Sequence, residues 1–270
     1  MKKTVTVLVL ALVGALVAPW TLRAQTAERL SDKDVKALFE EVEHRRDRFE
    51  DALDGGFKNS IVRGPRGEAN VKKYLDDFQR EVGQAKDRFK PDYAASTEVR
   101  AALTRGAEID GFVRSQPSQF KGASEWDRLA VELRRLAGVY GASFPLAQDA
   151  AVRRINDKEA AATAEQLAAQ AGLFKKAVGN DKALTAAERD SLKRSADDLG
   201  KAAKSVKSRA SSGKPATGEA RQVFDLVSSI ERSPAAQKFS PATLSSWGVM
   251  RSNLSKLEQA FNLGAPAVAR

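Results

Sequence analysis

From residue 30 onward, apolar side chains return every three or four positions, a spacing that lines them along one face of an α-helix. Val35, Leu38, Phe39, Val42, Phe49 and Leu53 form the first such stripe. Ser31 precedes it with Asp34 three residues on, a capping-box arrangement with Asp in place of Glu, and Gly55-Gly56 is expected to close the helix. A second stripe, Val71, Leu75, Phe78, Val82, Ala85 and Phe89, stops at Pro91. The third helix is expected from Ser96 to about Arg114, with Val99, Leu103 and Val113 inward. A fourth starts at Ser124, carries Trp126, Leu129, Leu133, Leu136 and Tyr140, and ends at Gly141. After residue 30 there is no run of alternating Val, Ile and Thr with hairpin turns, so β-structure is not expected.

The pattern then starts again. Asn156-Asp157-Lys158-Glu159 echoes Ser31-Asp32-Lys33-Asp34 at an offset of 125 residues, and the register holds without a gap from 31–55 to 156–180. Val42 falls on Leu167, Phe49 on Phe174 and Leu53 on Val178. At an offset of 121, the second helix matches the stretch from Leu192 through Leu199, Ala203 and Val206. Leu103 falls on Phe224, Ile109 on Ile230 and Trp126 on Trp247 at that same offset, and the last helix continues through Leu254, Leu257 and Phe261 after Ser240-Pro241. Short connections between amphipathic helices favour antiparallel neighbours. The expected fold is therefore all-α, with two tandem, duplicated, up-down four-helix bundles over 25–142 and 156–264. Residues 143–155 form a linker or a helix bridging the two, and 265–270 a flexible tail.

Residues 1–24 have the order of a secretory signal peptide. Lys2 and Lys3 give the positive start, Thr4 to Leu22 carry no charge, and Leu22-Arg23-Ala24 offers a small residue at the cleavage point after Pro19. The uncharged run of residues 4–22 is close to the ~20 residues that span a bilayer, so an uncleaved anchor is the alternative. Export of a mature chain to a periplasmic or extracellular space, in a bacterium, is the expectation.

Composition narrows the chemistry. The chain of 270 residues has no Cys and one His. That excludes disulfides, Cys-based zinc or iron–sulfur centres, covalent haem attachment and a thiol nucleophile. His44 lies about 200° from Val42 around its helix, on the polar face, and pairs with Glu41 at a Glu-x-x-His spacing that occurs only once, whereas a di-iron bundle needs two copies. No Walker loop, dinucleotide fingerprint or Gly-x-Ser-x-Gly elbow is present. Gly64-Pro65-Arg66-Gly67 reads as an inter-helix turn that could meet an anion, Asp76-Asp77 and Asp197-Asp198 as solvated surface, and Trp126 and Trp247 as core. No catalytic, cofactor-binding or metal-binding residue is expected.

The net charge of +10 is unevenly spread. Residues 25–142 balance 22 basic against 22 acidic side chains, while 143–270 carry 20 against 13. Lys193, Lys201, Lys204 and Lys207 fall within a 120° arc beside an apolar stripe and form the candidate face for an anionic partner. Leu184-Thr185-Ala186-Ala187-Glu188-Arg189 resembles the Leu-Thr-x-x-Gln signature of small periplasmic helical chaperones of the Spy and CpxP type, with Glu188 in place of Gln. The resemblance covers six residues and implies a chaperone-like role, but Thr185 with Glu188 also makes a plain capping box. The sequence thus predicts an exported, non-enzymatic helical scaffold or protein-interaction module. The alternative is a binder of anionic cell-envelope material through the basic second half. The partner is an unidentified protein or an anionic envelope component, without sequence-specific nucleic-acid binding and without a mature membrane span.

Overall fold

A computed structural model describes residues 29–64, 67–116 and 120–261. The expected signal segment and the 265–270 tail lie outside the described residues. The described chain is predominantly helical: α1 (Asp32–Ala52), α2 (Gly55–Lys58), α3 (Val71–Arg88), α4 (Ser96–Arg114), α5 (Ala123–Val139), α6 (Asp157–Asn180), α7 (Ala186–Ser211), α8 (Thr217–Arg232) and α9 (Pro241–Phe261). A 3-10 turn covers Pro234–Lys238, and strands β1 (Ile61–Gly64) and β2 (Gly67–Asn70) pair antiparallel. No described helix is long and apolar enough to cross a membrane.

Side-chain caps start most of the long helices, because the first N–H groups of a helix have no partner within it. Ser31, Asn70 and Asn156 each accept from the N–H three residues on, and Thr185 with Glu188 forms a complete capping box. At the start of α5 the backbone takes over. Gly122 sits at φ 110, and a Cβ there would come within 2.9 Å of Leu53 Cδ2, so both the backbone conformation and the close approach require glycine.

The buried apolar side chains form two separate clusters. The first runs from Val35 to Val152 and is built by α1, α3, α4 and α5; the second runs from Ala160 to Phe261 and is built by α6 to α9. Within each, every long helix packs on the next and the last packs back on the first: α1 on α3, α3 on α4, α4 on α5 and α5 on α1, then α6 on α7, α7 on α8, α8 on α9 and α9 on α6. The aromatic centres correspond. Phe49 meets Trp126 with ring centroids 5.1 Å apart, and Phe174 meets Trp247 at 5.0 Å, both pairs tilted. Such tilted pairs add to the stabilisation from burying the rings.

Three local expectations change, and for residues 143–155 the linker alternative remains. Gly55-Gly56 do not close α1. Leu53 ends it in an extended conformation, and the Asp54 carboxylate accepts from Phe57 N–H to start the short helix α2 at the glycines. Gly64 and Gly67, expected in an inter-helix turn, instead lie in the paired strands of a hairpin, four residues each and too short to show an alternating signal; Pro65 and Arg66 lie outside the described residues. The 143–155 segment contains no helix; Phe144 and Val152 turn back into the first core. Asp77 is buried at 7% exposure, in contrast to its expected solvation, because Lys73 and Arg80 reach it from one turn to either side.

Candidate functional site

The N-termini of α1 and α6 meet head to head. Left alone, two such ends repel, since each carries about half a positive charge. Here each helix is capped by the other. Asp32 N–H donates to Asp157 Oδ2 at 2.8 Å, and Asp157 N–H donates to Asp32 Oδ2 at 2.9 Å. The two carboxylates are neutralised crosswise. Arg154 donates to Asp32 Oδ1 at 2.7 Å, and Arg29 pairs with Asp157 Oδ1. The same guanidinium groups reach backbone carbonyls, Arg29 that of Ile155 and Arg154 that of Leu30, each at 2.8 Å. Every partner here has its counterpart 125 residues away: Arg29 and Arg154, Leu30 and Ile155, Asp32 and Asp157. The side chains of Arg29 and Arg154 are only 6% and 3% exposed. Burial lowers the proton affinity of the Arg29 guanidinium, and the like charge of Arg154 adds to it, while Asp157 opposes both.

Against this clasp lies a cavity of about 350 Å3. Five of its lining side chains are arginines: Arg29, Arg134, Arg135, Arg153 and Arg154. Leu30, Val139, Ile155 and Ala260 give it apolar walls, and among the described residues no Asp or Glu lines it. Arg134 comes from α5 and Arg153 from the segment leading into α6; both are exposed, and neither has an ion pair among the described residues. Arg135 lies 3.6 Å from Glu132. The Arg29 guanidinium also covers the Phe261 ring at 5.3 Å, which fixes it from the side of α9.

The lysines of the candidate face all lie on α7. Lys193 pairs with Asp190 at 3.3 Å, Lys201 with Asp198 at 3.1 Å and Lys207 with Glu165 of α6 at 2.5 Å. Lys204 is exposed. The face is therefore interleaved with carboxylates. His44 is exposed and accepts from Arg48 Nε at 2.9 Å. Trp126 and Trp247 are buried in the two cores, and Trp126 Nε1 donates to the buried Asp110 at 3.0 Å. Among the described residues no group of His, Asp and Glu is arranged to hold a metal ion.

The arginine cavity escaped the sequence reading because its residues are scattered over 29, 134–135, 153–154 and 259–260. One signal was available. The 125-residue register extends back from Ser31 and Asn156 to Leu30 and Ile155, and then to Arg29 and Arg154, so it pairs two arginines just outside two matching caps. No protein-family model, curated protein or solved structure matches this chain.

Proposed function

We propose that the chain is an exported, non-enzymatic interaction module made of two related up-down four-helix bundles. The observation that carries the reading is the reciprocal clasp. Asp32 and Asp157 cap each other's helices, and Arg29 and Arg154 cross between them, all at one offset of 125 residues. Two unrelated bundles fused in tandem have no reason to meet through the same residue types at the same register. The matching Phe49–Trp126 and Phe174–Trp247 pairs support the same relation inside the two cores. The buried polar groups described above cap helices, hold an indole or balance a charge, which is structural work. The charged segment start and uncharged run of residues 1–24 support export. The carboxylate partners of Lys193, Lys201 and Lys207 make the α7 face a weaker anion site than the lysines alone suggest, so the anion-binding reading moves to the junction.

Fractionation of bacterial cells expressing the full chain tests the reading. The account expects the protein in the exported fraction, with an intact mass starting near Gln25, and no turnover in a broad hydrolase panel. Retention of residues 1–24 in the cytoplasmic fraction, or turnover abolished by a single carboxylate substitution, contradicts it.

A further inference from the structure

We propose that the arginine-lined cavity at the junction binds a phosphate group. This deepens the interaction-module reading by giving the module a ligand class, and it rests on that reading only for where the ligand is met. The argument starts from charge. Five arginines line a cavity of about 350 Å3, and among the described residues no carboxylate lines it. Asp32 and Asp157 lie behind it and are already committed to Arg154 and Arg29 and to each other's helix ends. Arg134 and Arg153 add positive charge with no ion pair among the described residues, Arg134 standing between this cavity and a second hollow lined by Asp110 and Asp127. Behind the wall, the Nε–H groups of Arg29 and Arg154 are buried and find no acceptor among the described residues, so the clasp leaves donors of both guanidinium groups unmatched.

The chemistry of the lining selects the ligand class. A guanidinium is a planar fork that meets two oxygens of an oxyanion at once. A phosphoryl group offers three oxygens and up to two charges, so it can be shared between Arg134 and Arg153, which arrive from different elements. Leu30, Val139, Ile155 and Ala260 add apolar surface to the wall, which lowers the local dielectric and strengthens the attraction. The clasp fixes Arg29 and Arg154 in advance, so the wall they form needs no reorganisation, and Arg134 and Arg153 supply the charge that the clasp does not balance. The volume admits a phosphate with a short organic remainder. That phosphate has two possible sources, a soluble phosphate ester or the head group of an anionic lipid.

The test is titration calorimetry of the mature chain with inorganic phosphate and with glycerol 3-phosphate, alongside co-sedimentation with vesicles of phosphatidylcholine containing phosphatidic acid or lacking it. The proposal expects saturable binding of at least one phosphate probe. It expects a loss of about tenfold or more in Arg134→Ala/Arg153→Ala, equivalent to about 1.4 kcal/mol, and no change in Lys193→Ala/Lys204→Ala. Binding of the soluble probes identifies a free ester as the source, and binding confined to phosphatidic acid vesicles identifies a head group. Both arginines are exposed, so the variants should melt as the wild type does; Arg134→Gln and Arg153→Gln singly provide a second pair should the double variant be unstable. Absence of binding to every phosphate probe overturns the proposal, and so does binding lost through the α7 lysines and kept without Arg134 and Arg153. Either result leaves the module reading standing, since that reading fails on fractionation and turnover instead.

Discussion

Arg46 lies buried between α1 and α3, and 125 residues later Ala171 occupies the same place between α6 and α7. Arg46 needs company to be there. It reaches the Leu75 carbonyl at 3.3 Å and pairs with Asp47, Glu50 and Asp76. Ala171 needs none, and the helix opposite carries Gly200, where even an added Cβ would lie only 3.8 Å from the Ala171 Cβ. The next seam repeats the contrast at the 121-residue offset. Between α3 and α4, Arg105 is buried over the Tyr74 ring, beside Asp77, Glu81 and Glu108. Its counterpart between α7 and α8 is Leu226, packed on the second core. The seams of the first unit are held by buried arginines with their carboxylates, those of the second by apolar side chains, small where Ala171 faces Gly200. Buried charges contribute little net stability, because desolvation offsets attraction, but breaking one partner out is costly. Close packing of small residues stabilises through many weak contacts and is damaged by added volume. The first unit should therefore be the more sensitive to loss of a partner and the second to gain of bulk.

The largest expected effects probe what the two units share. Trp126→Ala and Trp247→Ala should each cost about 3–5 kcal/mol, measured by chemical denaturation. The Trp126 substitution should stand at the upper end, since it also leaves the buried Asp110 without its indole partner. Near-wild-type stability of either variant would remove the correspondence between the aromatic centres. Next comes the clasp. Asp32→Ala and Asp157→Ala should each cost about 3 kcal/mol by leaving a buried arginine unpaired, and the double variant should cost clearly less than the two together, because each aspartate caps the other's helix. Strict additivity would show that the two contacts are independent.

A third effect separates the units, since Asp181 lies beyond the end of the 125-residue match. Burial pushes the Asp181 carboxyl up, but hydrogen bonds from Ser240 N–H, the Thr243 hydroxyl and Ala183 N–H outweigh it and hold it down at about 2. A depressed carboxyl stabilises the fold above its ordinary value near 4, and that contribution fades as pH falls from there toward 2. Asp181→Asn should therefore cost on the order of 2 kcal/mol at neutral pH and approach the wild type near pH 2, as melting across that range would show. The smallest effect concerns bulk. Gly200→Ala should stabilise by about 0.5–1 kcal/mol through helix propensity, because its Cβ meets only ordinary contacts, whereas Gly200→Leu should destabilise by about 1–3 kcal/mol. At the exposed counterpart Gln79, either change should be close to neutral in a thermal melt.

Much of the fold could be read from periodicity, because a 3.6-residue stripe and a cap are local signals. The range of α4, Ser96–Arg114, and the Thr185–Glu188 cap follow from such signals alone. The β1–β2 hairpin could not be read, since four-residue strands are too short to alternate visibly, and the burial of Asp77 depends on Lys73, Arg80 and the neighbouring Arg105. The lysines of α7 were visible on their own helix, but Glu165, which neutralises one of them, belongs to α6. The arginine cavity lay furthest from reach: no local rule connects Arg29, Arg134 and Arg153, and only the meeting of two helix ends brings them together.

The central claim is that two separately cored, related helical units are joined through the Asp32–Asp157 clasp. Amide hydrogen exchange of the Trp126→Ala variant, read by segment, tests it most directly. The account predicts that protection falls across α1, α3, α4 and α5 while α6 to α9 keep that of the wild type. An equal loss of protection in α6 to α9 would show one merged cooperative core and contradict it.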